Sequence, residues 1–165
     1  MIIWLASYPK SGNTWIRSLL STYLYSDDCI FNFDLLKKIQ QFPSKTHFDF
    51  FLKDFKDIKK VSTYWIAAQE RINLFNDGTI FLKTHNGLCK LENNFFTNKN
   101  NTKAVIYVVR DPRNLITSLS HHYSMNMEKA YFFIINKQQM TMVSEWGKDD
   151  FGIVSVLGNW STHYK

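Results

Sequence analysis

The segment from Ile2 to Trp15 limits the possible folds more than any other part of the chain. Ile2-Ile-Trp-Leu-Ala6 is a short apolar run that ends at Tyr8-Pro9, the pattern of a buried strand. Ser11-Gly12-Asn13 is a turn cluster. From Thr14 the spacing becomes helical, with Trp15, Ile16, Leu19, Leu20, Tyr23 and Leu24 on one face. A strand, a tight glycine-containing loop and a helix in direct succession aim backbone N–H groups at one point, where the helix adds its positive end. Lys10 brings a full charge there, and the side chains of Ser11, Asn13 and Thr14 bring donors, so a phosphate or phosphosulfate suits the loop. The alternative is a plain strand-to-helix turn, with Thr14 as cap and Gly12 relieving the backbone. A Walker A loop needs G-x-x-x-x-G-K-[ST], whereas here Lys10 precedes Gly12.

Two further apolar strands are predicted. One runs from Thr79 to Leu82, and one covers Ala104-Val-Ile-Tyr-Val-Val109, which is apolar and β-branched enough to be the strongest strand of the chain. Helices are expected between and after them. Phe48, Phe51, Leu52, Phe55 and Ile58 share a helical face. A helix capped by Ser62 runs through Trp65, Ile66, Ile72 and Phe75 and stops at Asn76-Asp77-Gly78. Pro112 opens another helix carrying Leu115, Ile116, Leu119 and Tyr123, and helical pattern continues to Lys165 with no further strand. Strands separated by helices predict an α/β fold with a central parallel sheet, in one domain spanning 1–165. Three parallel strands make a small sheet with open edges, so the chain is read as incomplete at its C-terminal side.

Charge narrows the choice of partner. The net charge of +6 favours anions: a phosphorylated cofactor, a sulfated sugar, nucleic acid or an acidic membrane surface. Cys29 and Cys89 stand in neither disulfide nor zinc-ligand spacing, and no metal is expected. The apolar runs are too short to cross a bilayer, and the first residues do not form a signal peptide. A cytoplasmic location is the default expectation.

Taken together, Tyr8-Pro-Lys-Ser-Gly-Asn-Thr-Trp15 resembles the 5′-phosphosulfate loop YPKSGTTW of sulfotransferases that use 3′-phosphoadenosine 5′-phosphosulfate (PAPS), differing only at Asn13. Val105 to Ser118 is similar to that family's 3′-phosphate segment, a strand followed by R-[DN]-P and a later serine. Arg110 leaves the C-terminal end of a core strand, where ligands bind open α/β sheets, and a guanidinium grips phosphate in bidentate fashion. Ser118 follows about two helical turns later. On chemistry alone, a local Arg110–Asp111 ion pair capping the helix is the lesser alternative. Lys83-Thr-His85 resembles the family's KTH segment. A lone histidine is more often structural, but one placed at a strand end beside a ligand suits a general base near neutral pH.

The resemblance implies a P-loop-like three-layer fold and transfer of a sulfuryl group from PAPS to an acceptor hydroxyl or amine. Catalysis would fall to Lys10, His85 and Lys83. PAPS would be bound by Lys10, Ser11, Gly12, Asn13, Thr14, Trp15, Arg110 and Ser118, with Trp15 against the adenine. It also implies a domain that continues past Lys165 with an R-K-G segment. The acceptor is expected to be a small molecule or glycan, with no nucleic acid or membrane as partner. Its pocket is assigned to residues 27–78 and 123–146. Gly158 to His163 weakly resembles the family's GSWYDH, but His163 is given no chemical role, and His121-His122 is read as surface or packing. The readings left open are a P-loop kinase or NTPase, and a non-catalytic chain that holds adenosine 3′,5′-bisphosphate or another polyanion.

Overall fold

A computed structural model describes residues 1–142 and 152–163. Its centre is a three-stranded parallel sheet in the order β2-β1-β5, formed by β1 (Ile2–Ser7), β2 (Ile80–Thr84) and β5 (Thr102–Val108). Two small antiparallel pairs lie outside it. One joins β3 (Lys90–Leu91) to β4 (Asn94–Phe95), and the other joins β6 (Met140–Met142) to β7 (Val154–Val156). The flanking helices are α1 (Asn13–Tyr25), α2 (Lys45–Phe48), α3 (Ile58–Ser62), α4 (Trp65–Leu74), α5 (Pro112–His122), α6 (Met127–Ile135) and α7 (Trp160–His163). A 3-10 helix spans Phe33–Lys38. The expected α/β architecture, a parallel sheet flanked by helices, is the observed one. Among the described residues, no helix is long and apolar enough to cross a membrane.

Register decides where a site can form. Ala6 lies opposite Thr84 on one side of β1, and Ser7 lies opposite Val108 on the other. The three strands therefore end level, and the segments that follow them leave the same edge of the sheet. The outer side of β2 is covered by the strand-like segment around Gln41, through Phe42 N to Lys83 O and Lys83 N to Gln40 O, both 2.8 Å.

One core packs Ile2, Trp4 and Leu82, which alternate along their strands, against Phe42, Phe48, Val61, Trp65 and Phe96. Trp4, Phe42, Phe48 and Trp65 are all fully buried, and the Trp4–Phe96 and Trp65–Phe96 rings meet at 5.3 and 5.4 Å. Burial of each such ring contributes roughly 2–3 kcal/mol, so this cluster fixes the sheet against α3 and α4. A second core joins Tyr8, Leu115, Leu119, Ala130, Ile134 and Leu157, tying the loop after β1 to α5 and α6.

The structure adds one finding and corrects three expectations. The apolar stripe of α1 does not face the core: Trp15 and Tyr23 are 69% and 81% exposed, and the buried residues of α1 are Asn13 and Ser21. The inward side of this helix is held instead by polar contacts, with Asn13 Nδ2 donating to Leu5 O and Arg17 to Leu36 O. Residues 48–58 are not one helix. Asp54 and Asp57 accept from the backbone of Lys56 and Lys59, and such local turns compete with helix. Phe51, Leu52, Phe55 and Ile58 nevertheless pack on the same core. Ser62 ends α3 rather than capping the next helix, because Asp57 caps α3 and α4 begins at Trp65. Finally, β6 and β7 form a hairpin where helix was expected, with Thr141 paired to buried Ser155. Residues 143–146 of the expected acceptor wall, and the chain end at 164–165, lie outside the described residues.

Strand β5 is one of the two outer strands of its sheet, with Val105 and Ile106 exposed, although its composition is the most strand-like of the chain.

Candidate active site

The loop between β1 and α1 is shaped by two left-handed residues, Lys10 at φ 67° and Gly12 at φ 101°. An added Cβ at Gly12 would meet nothing within 4 Å, so the backbone angle, not space, is what calls for glycine there. Gly12 is the N-cap of α1 and makes no side-chain cap. The first helical hydrogen bond is Ile16 N to Gly12 O, so the N–H groups of Asn13, Thr14 and Trp15 lack intrahelical acceptors. Ser11 Oγ is buried without a hydrogen-bond partner. An uncapped helix start and an orphaned hydroxyl beside Lys10 fit an anion.

The three strand ends meet around a cavity of about 1140 Å³. Lys10, Gly12, Asn13, Thr14 and Trp15 line it from the loop and α1, Lys83 and His85 from the end of β2, and Arg110 and Ser118 from the end of β5 and α5. The structure thus brings every residue singled out from the sequence to the cavity wall except Ser11, whose hydroxyl is buried. Asn13 reaches the cavity wall, but its amide nitrogen is committed to Leu5 O and Ser7 Oγ, both at 3.0 Å. It braces the loop on β1 rather than offering a side-chain donor to a ligand, which corrects that part of the sequence reading.

Arg110 is tied to the loop, with Nη1 donating to Lys10 O at 3.0 Å. Its neighbour Asp111 pairs with Arg113 and caps Arg113 N at 2.9 Å. That arrangement holds the Asp111 carboxyl down at about 2, mainly through the Arg113 side chain. Asp111 thus pairs with Arg113 and not in the Arg110–Asp111 pair that the sequence left open, and Arg110 lines the cavity. Among the described residues, no carboxylate lines the cavity, whereas Lys10, Lys83 and Arg110 do.

Lys83 is nearly buried, and its Nζ donates to Gln41 Oε1 at 2.6 Å. Burial, with Arg17 nearby, lowers its pKa to about 7. An anion in the cavity favours the charged form and raises that value again. At pH values just above 7, polyanion binding is therefore expected to take up a fraction of a proton. Below that pH Lys83 is already charged, and the uptake fades. Calorimetry in buffers of different ionisation enthalpy measures it, and Lys83→Met removes it.

His85 sits where its ring meets the end of β1. Nδ1 lies 2.8 Å from Ser7 O and 3.3 Å from Ser7 Oγ. A carbonyl only accepts, so Nδ1 carries the proton and Nε2 keeps the lone pair. Burial first, then the charge of Lys83, holds His85 well below the ordinary imidazole value. The neutral ring is the form able to accept a proton.

Three participants were not found from sequence. Ser7 and Gln41 hold His85 and Lys83, but their pairing depends on strand register, which no local pattern records. His122, exposed and packed on Tyr123 as a surface residue, also lines the cavity one helical turn beyond Ser118. Its i+4 spacing from Ser118 was the available signal.

Comparison with known proteins gives the family. The sulfotransferase domain family matches residues 2–165. Luciferin sulfotransferase of Photinus pyralis is 32% identical over 125 residues, which cover 72% of this chain and 32% of that protein. The chain thus matches about a third of the length of that relative. A parallel sheet ending in a glycine loop and an uncapped helix start, with a histidine and an arginine after its two neighbouring strands, accompanies that match, and the chain belongs to the sulfotransferase domain family.

Proposed function

We propose that the chain binds PAPS and takes part in transfer of its sulfuryl group to the hydroxyl or amine of a small molecule or glycan. The observation that carries this reading is the shared cavity. Lys10, His85 and Arg110, distant in sequence, line one space that no carboxylate enters among the described residues.

Each residue has a task that its surroundings suit. The loop N–H groups and Lys10 hold the 5′-phosphosulfate, while Arg110 and Ser118 hold the 3′-phosphate. Trp15, largely exposed on the cavity wall, offers a flat face to the adenine. His85 Nε2 takes the proton of the acceptor as the acceptor oxygen or nitrogen bonds to sulfur. The bond between sulfur and the bridging phosphate oxygen breaks, and Lys10 neutralises the charge left on that oxygen. Lys83, charged once an anion is present, supports the transferring group. Placing both reactants in one cleft supplies the orientation.

Titration calorimetry tests the proposal. Adenosine 3′,5′-bisphosphate is expected to bind without magnesium, and Arg110→Ala to weaken it by about 1.5–3 kcal/mol, the worth of a hydrogen bond to a charged group. Preference for ATP with magnesium would assign the cavity to phosphoryl transfer instead.

A further inference from the structure

Outside the groups given roles above, the most connected titratable side chain is His163 on α7. It is 4% exposed, and both ring nitrogens are engaged. Nε2 lies 2.9 Å from His85 O, and Nδ1 meets the Tyr107 hydroxyl of β5. Since a carbonyl only accepts, Nε2 carries the proton and Nδ1 accepts from Tyr107. The ring also stands edge-on to Tyr8 of the anion loop, with centroids 5.2 Å apart. One imidazole therefore touches the segments that follow or end all three strands of the sheet.

The neighbouring contacts act on the same stretch of chain. Val156 N donates to Asn86 Oδ1 at 2.8 Å, and Gly87 N donates to Val156 O at 3.0 Å. A Cβ at Gly87 would meet Leu157 O at 3.3 Å and His163 Cδ2 at 3.6 Å, so residues 85–87 are closely packed by the segment 156–163. On its other side His85 is held by Ser7 O. The ring that carries the free lone pair is thus set between two anchors, Ser7 on its own Nδ1 and His163 on its main-chain carbonyl.

We propose that His163 is a positioning residue: by donating from Nε2 to the carbonyl of His85 while Tyr107 fixes the tautomer of His163, it sets the orientation of the His85 imidazole and so keeps Nδ1 on Ser7 O, the bond that selects the His85 tautomer. This rests on the reading of His85 as the proton acceptor. His163 touches neither donor nor acceptor, so its removal is expected to act on turnover rather than on nucleotide binding.

The test compares His163→Phe, which keeps a ring against Tyr8 but loses both hydrogen bonds, with His163→Gln, which keeps an N–H donor toward His85 O. Imidazole nitrogen NMR reads His85 directly, without any substrate. The unaltered chain is expected to show His85 as a single Nδ1–H tautomer. In His163→Phe that signal becomes a tautomer mixture and the His85 pKa rises toward the ordinary value, while His163→Gln restores the original pattern. Where transfer is assayed, kcat falls about a hundredfold in His163→Phe, the loss associated with a misplacement of about an ångström, while affinity for adenosine 3′,5′-bisphosphate is unchanged. Unchanged His85 signals in folded His163→Phe overturn the proposal, as do equal losses in the Phe and Gln variants. If His163→Phe does not fold, Tyr107→Phe decides: a partial shift of the His85 signals supports the proposal, and none overturns it. A chain that shows the His85 response but no sulfuryl transfer keeps the positioning role and removes the sulfotransfer reading.

Discussion

His85→Ala is expected to lower sulfuryl transfer about 10³-fold, within the roughly 10²–10⁴-fold that general acid–base catalysis contributes, while affinity for adenosine 3′,5′-bisphosphate stays the same. The reason is the proton assignment. Ser7 O lies 2.8 Å from Nδ1 and obliges that nitrogen to carry hydrogen, so Nε2 alone can receive the acceptor's proton. The ring is depressed below its usual range, chiefly by burial, so it is already neutral at neutral pH. The rate should therefore be flat across neutral pH and fall only on the acid side, as His85 becomes protonated. Side-by-side measurement of kcat, donor KM and nucleotide affinity checks this. Full turnover in the Ala variant would mean that another group takes the proton.

Lys10→Ala should be almost as severe, with a loss of about 10²–10³ in kcat, as for removal of one electrostatic stabiliser of a transition state. Among the described residues no carboxylate lines the cavity beside it, so its charge faces the leaving phosphate. Lys10 already holds a left-handed backbone at φ 67°, and Ala carries the same Cβ. The change therefore removes charge without adding backbone strain, and thermal stability should hold. Lys10→Arg is expected to rescue poorly, because a planar fork does not replace a point charge at this close range. Transfer assays and thermal melts of the two variants separate a catalytic loss from a folding loss. A Lys10→Ala chain with normal kcat would place the leaving-group charge elsewhere.

How far the sequence alone reaches can be judged residue by residue. The anion loop was legible because an apolar strand, Gly12 and a helical period stand in direct succession, and each is a local signal. Arg110 and His85 were legible because they follow apolar runs, and strand ends are where open sheets bind ligands. The direction faced by the stripe of α1 was not. Periodicity shows that Trp15, Leu19 and Tyr23 share a side but not what lies opposite, and here that side borders the cavity. The hairpin of β6 and β7 escaped because each strand has only three residues, with a polar pair, Thr141 and Ser155, at its centre. The partners Ser7, Gln41 and His163 escaped for a different reason. They reach their targets across sequence separations of 78, 42 and 78 residues, which only tertiary packing closes.

Backbone-amide NMR of the chain titrated with adenosine 3′,5′-bisphosphate tests the central claim most directly. The account predicts that residues of the Lys10–Trp15 loop and of the Arg110–Ser118 segment shift together along one saturating curve, because one ligand bridges them in a single cleft. Shifts confined to one of the two segments, or two curves with different midpoints, would contradict it.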